Sequence, residues 1–544
     1  MVETVLGRVG RLFAPAGKPD RIVRRLWYGK TLERPTYHVA GALFLRMLGL
    51  VYLIAFVSLW TQVDGLIGDH GILPVANFLD AVRRYFAAEK SGASRVWELP
   101  TLLWLSPHDG LIHLLCGGGT LISMMLIMGW MPKLSLVLLW VLYLSLFHAG
   151  QIFLSFQWDI LLLETGFIAI FVAPFAWRST FLGDAHPPRL AIWLVWWLLF
   201  RLMLESGAVK LTWNDGQLGP GGLPLANAWE SLTALDYHYW TQPLPLWTSW
   251  YAAQLPHWFQ KLCVAGVLFV ELVLPWFIFG PRALRFGAFV GIALLMLLIG
   301  STGNYNFFNF LTLVLAVTLL DDGAWPEFLR RRVRLWDPSA APAPGRWRSV
   351  PLLLFAVLVV VLGTCQLREA IAPAKQPRAS LQADLHIAQF AWVNGYGLFR
   401  RMTETRPEIV IEASVDGSDW QAYEFSWKPG DPSRPPRFNT PHQPRLDWQM
   451  WFEALQFERV HQVAGAVDRR TMSPWFQSFL IRLLQRQPQV VNLLAHEPFS
   501  NRPPQSVRVV LYEYRFTNFS ERAASGDWWQ RQRVWTGPAW SLPR

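Results

Sequence analysis

Apolar residues along this chain arrive in nine runs, roughly 41–61, 110–131, 134–150, 157–175, 190–211, 258–279, 283–300, 304–320 and 350–367. A helix needs about 20 predominantly apolar residues to cross a hydrocarbon core. The runs therefore predict a polytopic α-helical membrane protein, with about nine transmembrane helices forming a membrane domain over residues 41–368. Two connections are long. Residues 62–109 hold a predicted surface helix, Val75 to Lys90, started by Pro74, where a missing N–H is tolerated. Residues 212–257 hold Gly219-Pro220-Gly221-Gly222 and an aromatic-rich stretch, Tyr237 to Tyr251. Irregular backbone cannot face lipid, whereas Trp and Tyr suit the membrane interface, so this loop is expected to lie over the outer mouth of the bundle.

Past residue 368 the period changes. Residues 369–390 read as a linker, with Pro373, Lys375, Pro377 and Arg378. Pro407 to Val415 and Gln421 to Phe425 alternate as strands, joined by the turn sequence Asp416-Gly417-Ser418-Asp419. Val507 to Phe516 reads as a later strand, and Leu446 to Phe457 and Pro474 to Gln485 have helical spacing. Residues 391–544 are thus expected to form an extramembrane α+β domain with a β-sandwich core.

Composition narrows the class. With 52% hydrophobic and 16% charged residues, the chain is neither disordered nor an ordinary soluble globular protein. The net charge of +11 matters chiefly through its placement. If the 1–40 arm is cytoplasmic, the inner connections carry 19 Lys and Arg, against four (Arg83, Arg84, Lys90 and Arg95) on the outer loops. That bias predicts an N-terminus inside and a C-terminal domain outside, periplasmic or lumenal. Residues 1–37 are polar and basic, so the first span is expected to act as an uncleaved insertion signal. No arginine-rich stripe points to nucleic acid. Cys116, Cys263 and Cys365 sit singly in apolar runs, without the spacing of a disulfide framework, a redox motif or a metal site.

The chemistry-bearing residues are the charges inside the spans: Arg46, Asp159, Glu164, Arg201, Glu205, Lys210, Lys261 and Glu271. Each costs at least about 2.5 to 3.5 kcal/mol near a bilayer centre, so such residues face the bundle interior and pair. Arg201 and Glu205, four apart, can neutralise each other. Lys210 follows Glu205-Ser206-Gly207-Ala208-Val209 near the outer end of its span. It either snorkels to the interface or is a desolvated amine able to act as a base. His148, Gln151, Gln157, Asp159 and Glu164 form a neighbouring polar cluster, read either as a structural network or as support for that base. The catalytic candidates are accordingly Lys210, His148, Asp159 and Glu164. Asn304, Asn306 and Asn309 are expected to satisfy backbone groups at a short re-entry between spans. The outer domain holds no GxSxG, HExxH or P-loop signature.

Several strings carry a likeness. They include Gly65 to Pro74 (GLIGDHGILP), Trp158 to Phe167 (WDILLLETGF), Phe200 to Lys210 (FRLMLESGAVK), Leu235 to Pro245 (LDYHYWTQPLP) and Gly303 to Asp322 (GNYNFFNFLTLVLAVTLLDD). In the outer domain, Trp392 to Phe399 (WVNGYGLF), Arg406 to Gly417 (RPEIVIEASVDG) and His442 to Phe452 (HQPRLDWQMWF) continue the pattern, and Pro498-Phe499, Pro503-Pro504 and Leu511-Tyr512-Glu513-Tyr514 complete it. The chain resembles the lipase maturation factors over nearly its whole length. The resemblance implies a multispanning membrane protein whose eukaryotic relatives sit in the endoplasmic reticulum and help dimeric lipases reach their assembled, active state. It also implies that the outer domain serves client maturation. The terminal Ser541-Leu542-Pro543-Arg544 is not a retention signal, so a bacterial-type inner-membrane member is expected. A shorter string, Ser206 to Leu211 (SGAVKL), is similar to the segment carrying the catalytic base of vitamin K-dependent gamma-carboxylase, which would put Lys210 at the base position.

Two functions follow as expectations. The first is a membrane-anchored folding or assembly factor for secreted proteins, by resemblance lipases. It would work beside membrane lipids, without a cofactor or nucleic acid, and contact its client through Trp392, Tyr396, Phe399, Trp448, Trp451 and Phe452. Each of these six aromatics could equally be core packing. The second is a membrane-embedded enzyme acting on a lipid, quinone-like or peptide substrate with Lys210 as base.

Overall fold

The computed structural model describes residues 35–89, 94–179, 187–212, 227–328, 346–373, 386–465, 467–468, 470–499 and 502–542. The basic arm with Arg8 to Arg34, the inner cluster Arg330 to Arg334, the 219–222 turn and linker residues 374–385 lie outside them.

Among the described residues, seven helices are long and apolar enough to cross a membrane. They are α1 His38–Trp60, α2 Asp109–Met128, α3 Pro132–Ala149, α5 Arg189–Thr212, the span opened by α6 His257–Leu272, α7 Arg282–Thr302 and α9 Arg346–Ile371. The remaining two apolar runs form shorter helices, α4 Gln157–Val172 of 16 residues and α8 Phe308–Val317 of 10. Local chemistry sets these limits. α4 stops just ahead of Pro174, and α8 starts only after Asn306, whose φ of 56° is outside the helical region. The α2–α3 turn needs a glycine. Gly129 takes a left-handed φ of 78° so that its N–H reaches Leu126 O at 3.0 Å, Trp130 N reaches Met125 O at 2.8 Å, and Pro132 then opens α3.

The predicted surface helix is present as Val75–Glu89. Loop 227–256 folds into two short helices, Ala234–Thr241 and Trp247–Ala253. It sits on the end of α7, where Leu246 N donates to Thr302 O (3.3 Å) and Asn304 N to Leu244 O (3.1 Å).

The α+β domain has one antiparallel sheet of order β2-β1-β3-β4, from β1 Pro407–Ser414, β2 Gln421–Ala422, β3 Ser506–Phe516 and β4 Trp529–Thr536. The β1–β2 hairpin forms where expected. Asp416 Oδ1 accepts the Ser418 and Asp419 N–H groups at 2.8 and 3.0 Å, which also holds its carboxyl below the usual carboxylate range. The sheet departs from the expected sandwich in having a single layer among the described residues. One face, with Ile409, Ile411, Val509 and Leu511, packs on helices α10 Arg445–Ala464 and α11 Pro474–Leu484. The other, with Val510, Tyr512, Tyr514 and Phe516, is covered by Trp250 from the membrane half and by Trp529. A helix of loop 227–256 thus takes the place of a second sheet.

Candidate functional site

Six of the span charges, Asp159, Glu164, Arg201, Glu205, Lys210 and Glu271, lie in buried ion pairs, and the outer domain completes two of these arrangements through Arg445, Asn394 and Tyr396. Asp159, near the start of α4, is fully buried and meets Arg445 at the start of α10: Nη2 to Oδ1 at 2.8 Å and Nη1 to Oδ2 at 3.0 Å. Tyr143 Oη donates to the same carboxylate at 2.5 Å, and Arg445 Nη1 also donates to Phe153 O at 2.5 Å. The fork of a guanidinium matches a carboxylate with two parallel bonds, the strong form of this interaction. Beside it, the end of α1 and the residues just after it reach the same segment. Gln62 Nε2 donates to Gln443 O (2.7 Å), Gln62 Oε1 accepts from Arg445 N (3.0 Å), and Ser58 Oγ accepts from Gln443 N (2.8 Å).

A second lock lies one turn further along α4. Glu164 pairs with Arg201 of α5, which also lies 3.7 Å from Glu205. The segment 391–397 closes this triad from above. Asn394 N donates to Glu164 Oε2 at 2.8 Å, Tyr396 Oη to the same oxygen at 2.8 Å, Tyr396 N to Glu205 Oε2 at 2.9 Å, and Arg201 Nη1 to Asn394 O at 3.0 Å. Gly397 rests so close to Val209 that a Cβ there would collide with it.

Lys210 belongs to a third arrangement. Its ammonium lies 2.6 and 2.8 Å from the two Glu271 oxygens, donates to Ser206 O at 3.2 Å and sits 5.0 Å over the Trp229 ring. Trp229 Nε1 in turn donates to Phe399 O at 2.9 Å. His148 is half-buried and meets Gln389 O at 2.7 Å through Nε2. The four catalytic candidates therefore have four different partners: Glu271, Gln389, Arg445 and Arg201. The structure does not gather them around a common reacting position. Lys210, with both carboxylate oxygens of Glu271 on its ammonium, has the geometry of a buried ion pair. Among the described residues no group of three His, Cys, Asp or Glu is placed to hold a metal ion.

The six aromatic candidates mostly turn inward. Tyr396 and Trp448 are buried, the latter packed edge-on against Trp158 at 4.8 Å. Trp392 stacks on Phe390 (5.0 Å) and lies 5.2 Å from Phe167 of α4. Phe399 packs on His238 and Tyr305, and Trp451 Nε1 donates to Thr241 O at 2.8 Å. Phe452 alone of the six is strongly exposed, at 42%.

Sequence reasoning missed the outer-domain side of the seam. Arg406 is fully buried, bonded to Glu408, and donates to the carbonyls of Trp240, Gln242 and Pro243 in loop 227–256. Burial lowers its basicity, opposed by Glu408. His238 is pushed down to about 4 by burial and by Lys210, so it is neutral at pH 7 and its Nε2 lies 3.0 Å from the Tyr305 hydroxyl. Asn304 Nδ2 donates to Asn439 Oδ1 (2.6 Å) and His442 O (2.8 Å), so the predicted re-entry amide also ties down the outer domain. The available signal was the presence of Arg406 and Arg445 in the strings RPEIVIEASVDG and HQPRLDWQMWF that carry the family likeness.

With this geometry in view, the comparisons with known proteins are specific. A family model described as the lipase maturation factor transmembrane domain matches residues 39–327, and one described as the lipase maturation factor C-terminal domain matches residues 392–536. Lipase maturation factor 2 of Mus musculus is 36% identical, over 91% of this chain and 82% of its own length. That of Gallus gallus is 37% identical, over 90% and 80%. Lipase maturation factor 1 of Homo sapiens is 33% identical, over 96% and 89%. No solved structure matches the chain.

Proposed function

The chain belongs to the lipase maturation factor family, and from that premise we propose that it is a membrane-anchored maturation factor helping secreted lipases reach their assembled, active form. The observation that carries this reading is the match to both family domains, in order, over about nine-tenths of the chain. The buried ion pairs support it physically. The Asp159–Arg445 pair and the bonds of Asn394 and Tyr396 to Glu164 and Glu205 fix the outer domain to the bundle, so a client emerging at the membrane meets a surface held at a set height and orientation. Phe452 is the contact residue of this reading, and Trp392, Tyr396, Phe399, Trp448 and Trp451 shape the seam beneath it. Lys210, His148, Asp159 and Glu164 act as structural anchors, which leaves the enzyme reading without a base.

The membrane domain spans residues 41–368 and the client-facing domain residues 391–544, with the N-terminus cytoplasmic. The 19 to four bias of basic residues supports that orientation. In a bacterial cell the outer domain would be periplasmic, and in a eukaryotic one lumenal in the endoplasmic reticulum. The test is a strain lacking the protein, assayed for secreted lipase activity per unit of secreted lipase mass. Specific activity should drop and return on complementation. Unchanged specific activity for every lipase the strain secretes would remove the lipase client.

A further inference from the structure

At the rim of the seam lies a groove that none of the contacts above uses. It is an open groove of about 520 Å³ lined by Trp247, Trp427, Pro436, Arg437, Phe438 and Trp528 among others. That volume falls in the range of roughly 300 to 1,000 Å³ typical of small-molecule sites. Three observations say what it takes.

The first is its height. Trp247 follows Leu246, which is bonded to Thr302 at the last residue of α7, and Thr248 Oγ1 is bonded to Ser301 O. The groove therefore begins where a membrane span ends. The second is continuity. Just below that end α7 exposes Leu294, Leu297 and Leu298 at 56 to 61%, and the neighbouring start of α6 exposes Trp258 and Leu262 at 66 and 61%. On helices long and apolar enough to cross a membrane such surfaces suit acyl chains, and the exposed ring of Phe438 (61%) and Trp247 (47%) extend them upward. The third is charge. Arg437 is exposed and has no carboxylate partner among the described residues, whereas nearby Arg434 is 3.7 Å from Glu424. On the far wall the Arg522 guanidinium stacks 3.5 Å over the Trp528 ring. Aromatic walls that continue upward from the end of a span, topped by cations, match a lipid whose headgroup is anionic.

We propose that this groove binds one anionic phospholipid, an acyl chain along Trp247, Phe438 and Trp528 and the phosphate at Arg437. The lipid would extend the membrane's apolar surface up the flank of the outer domain. The site is independent of client identity, and so is its test.

The full chain, purified in mild detergent, is equilibrated with vesicles of equal phosphatidylglycerol and phosphatidylcholine. Lipid retained on the protein is then quantified by mass spectrometry. Wild type should retain phosphatidylglycerol over phosphatidylcholine by about five-fold, the effect expected of one arginine at a membrane surface. Arg437→Gln should abolish the preference, and Phe438→Ser should lower total retained lipid, both with an unshifted melting temperature. A photo-crosslinking residue at position 438, irradiated in native membranes, should capture phospholipid. Equal retention of the two lipids by wild type, an undiminished preference in Arg437→Gln, or adducts at 438 that are protein only would each overturn the assignment.

Discussion

Trp448 and Phe438 both belong to outer-domain segments that reach down to the membrane half, and they end in opposite surroundings. Trp448 is 3% exposed, wedged against Trp158 beside the Asp159–Arg445 pair, while Phe438 is 61% exposed on the rim. Aromatic content is similar at both places, so it does not explain the difference. Beneath Trp448 lies a carboxylate that cannot remain unpaired in an apolar bundle, and Arg445 has to descend to meet it, bringing the start of α10 with it. At Phe438 no ion pair is found among the described residues, and Pro435-Pro436 carries the chain past without backbone donors to lose. Buried charge, rather than hydrophobicity, decides which aromatic surface is closed.

The largest effect should come from breaking that lock. Arg445→Ala leaves Asp159 buried without its cation and should destabilise the protein by about 3 to 5 kcal/mol. Thermal unfolding of the full chain would report it as a lower melting temperature, and limited proteolysis as release of residues 391–544. Replacing the pair together, Arg445→Met with Asp159→Leu, should recover most of the loss, because an apolar pair of similar volume needs no desolvation. Failure of the double variant to recover would mean that the bonds to Phe153 O and Tyr143 dominate instead. Lys210→Met comes next. It strands Glu271 and should cost about 2.5 to 3.5 kcal/mol, with reduced protein level. Lys210→Met with Glu271→Gln should restore both level and lipase maturation. A double variant that is abundant yet inactive would return Lys210 to the role of a catalytic base.

These contrasts also mark what the sequence could say. Asp159, Glu164 and Lys210 stood out because charge in an apolar run must be compensated, and the compensation is there. The partners were not legible. Arg445 lies 286 residues from Asp159 and Asn394 lies 230 from Glu164, and no local pattern encodes either meeting. Arg201 shows the limit of local rules. Its i,i+4 partner Glu205 is 3.7 Å away, while the closer contact is Glu164 on another helix. In the sheet, β1 and β3 were visible through period-two alternation over a buried face. β4 was not, because six of its eight residues are exposed and Gln530-Arg531-Gln532-Arg533 offers no apolar stripe. The sandwich was expected from the strand-like runs at 407–415, 421–425 and 507–516. The second face turned out to be covered by Trp250, which sequence position assigns to the membrane half.

A milder test of the seam uses pH. Asp447, next to Trp448, is pushed up to about 6 by burial, against the Trp427 and Lys428 N–H groups that each donate to it at 2.9 Å. An unfolded aspartate titrates near 3.9, roughly two units lower. Between about pH 4 and pH 6 the folded protein therefore keeps a proton that the unfolded chain has lost, so this group's contribution is full below pH 4 and declines as pH rises through 6. Melting temperature should fall across that window from this group, and Asp447→Asn should flatten that part of the profile. An unchanged slope in the variant would assign it to another carboxyl, Glu453 being next in line because burial raises it too.

The smallest effect is expected at the rim, and its smallness is what separates the two regions. Phe438→Ser removes a ring that is already 61% exposed and leaves no buried donor or charge behind. Stability should change by less than about 0.5 kcal/mol, the usual range for surface positions. The comparison with Trp448→Ala, which empties a buried site and should cost about 3 to 5 kcal/mol, can be made in one melting experiment in detergent. If Phe438→Ser lowered the melting temperature as far as Trp448→Ala, the groove would be a second closed seam held by packing. If it does not, the rim is a surface whose aromatic residues contribute nothing to the fold, and their presence there has to be explained by what they bind.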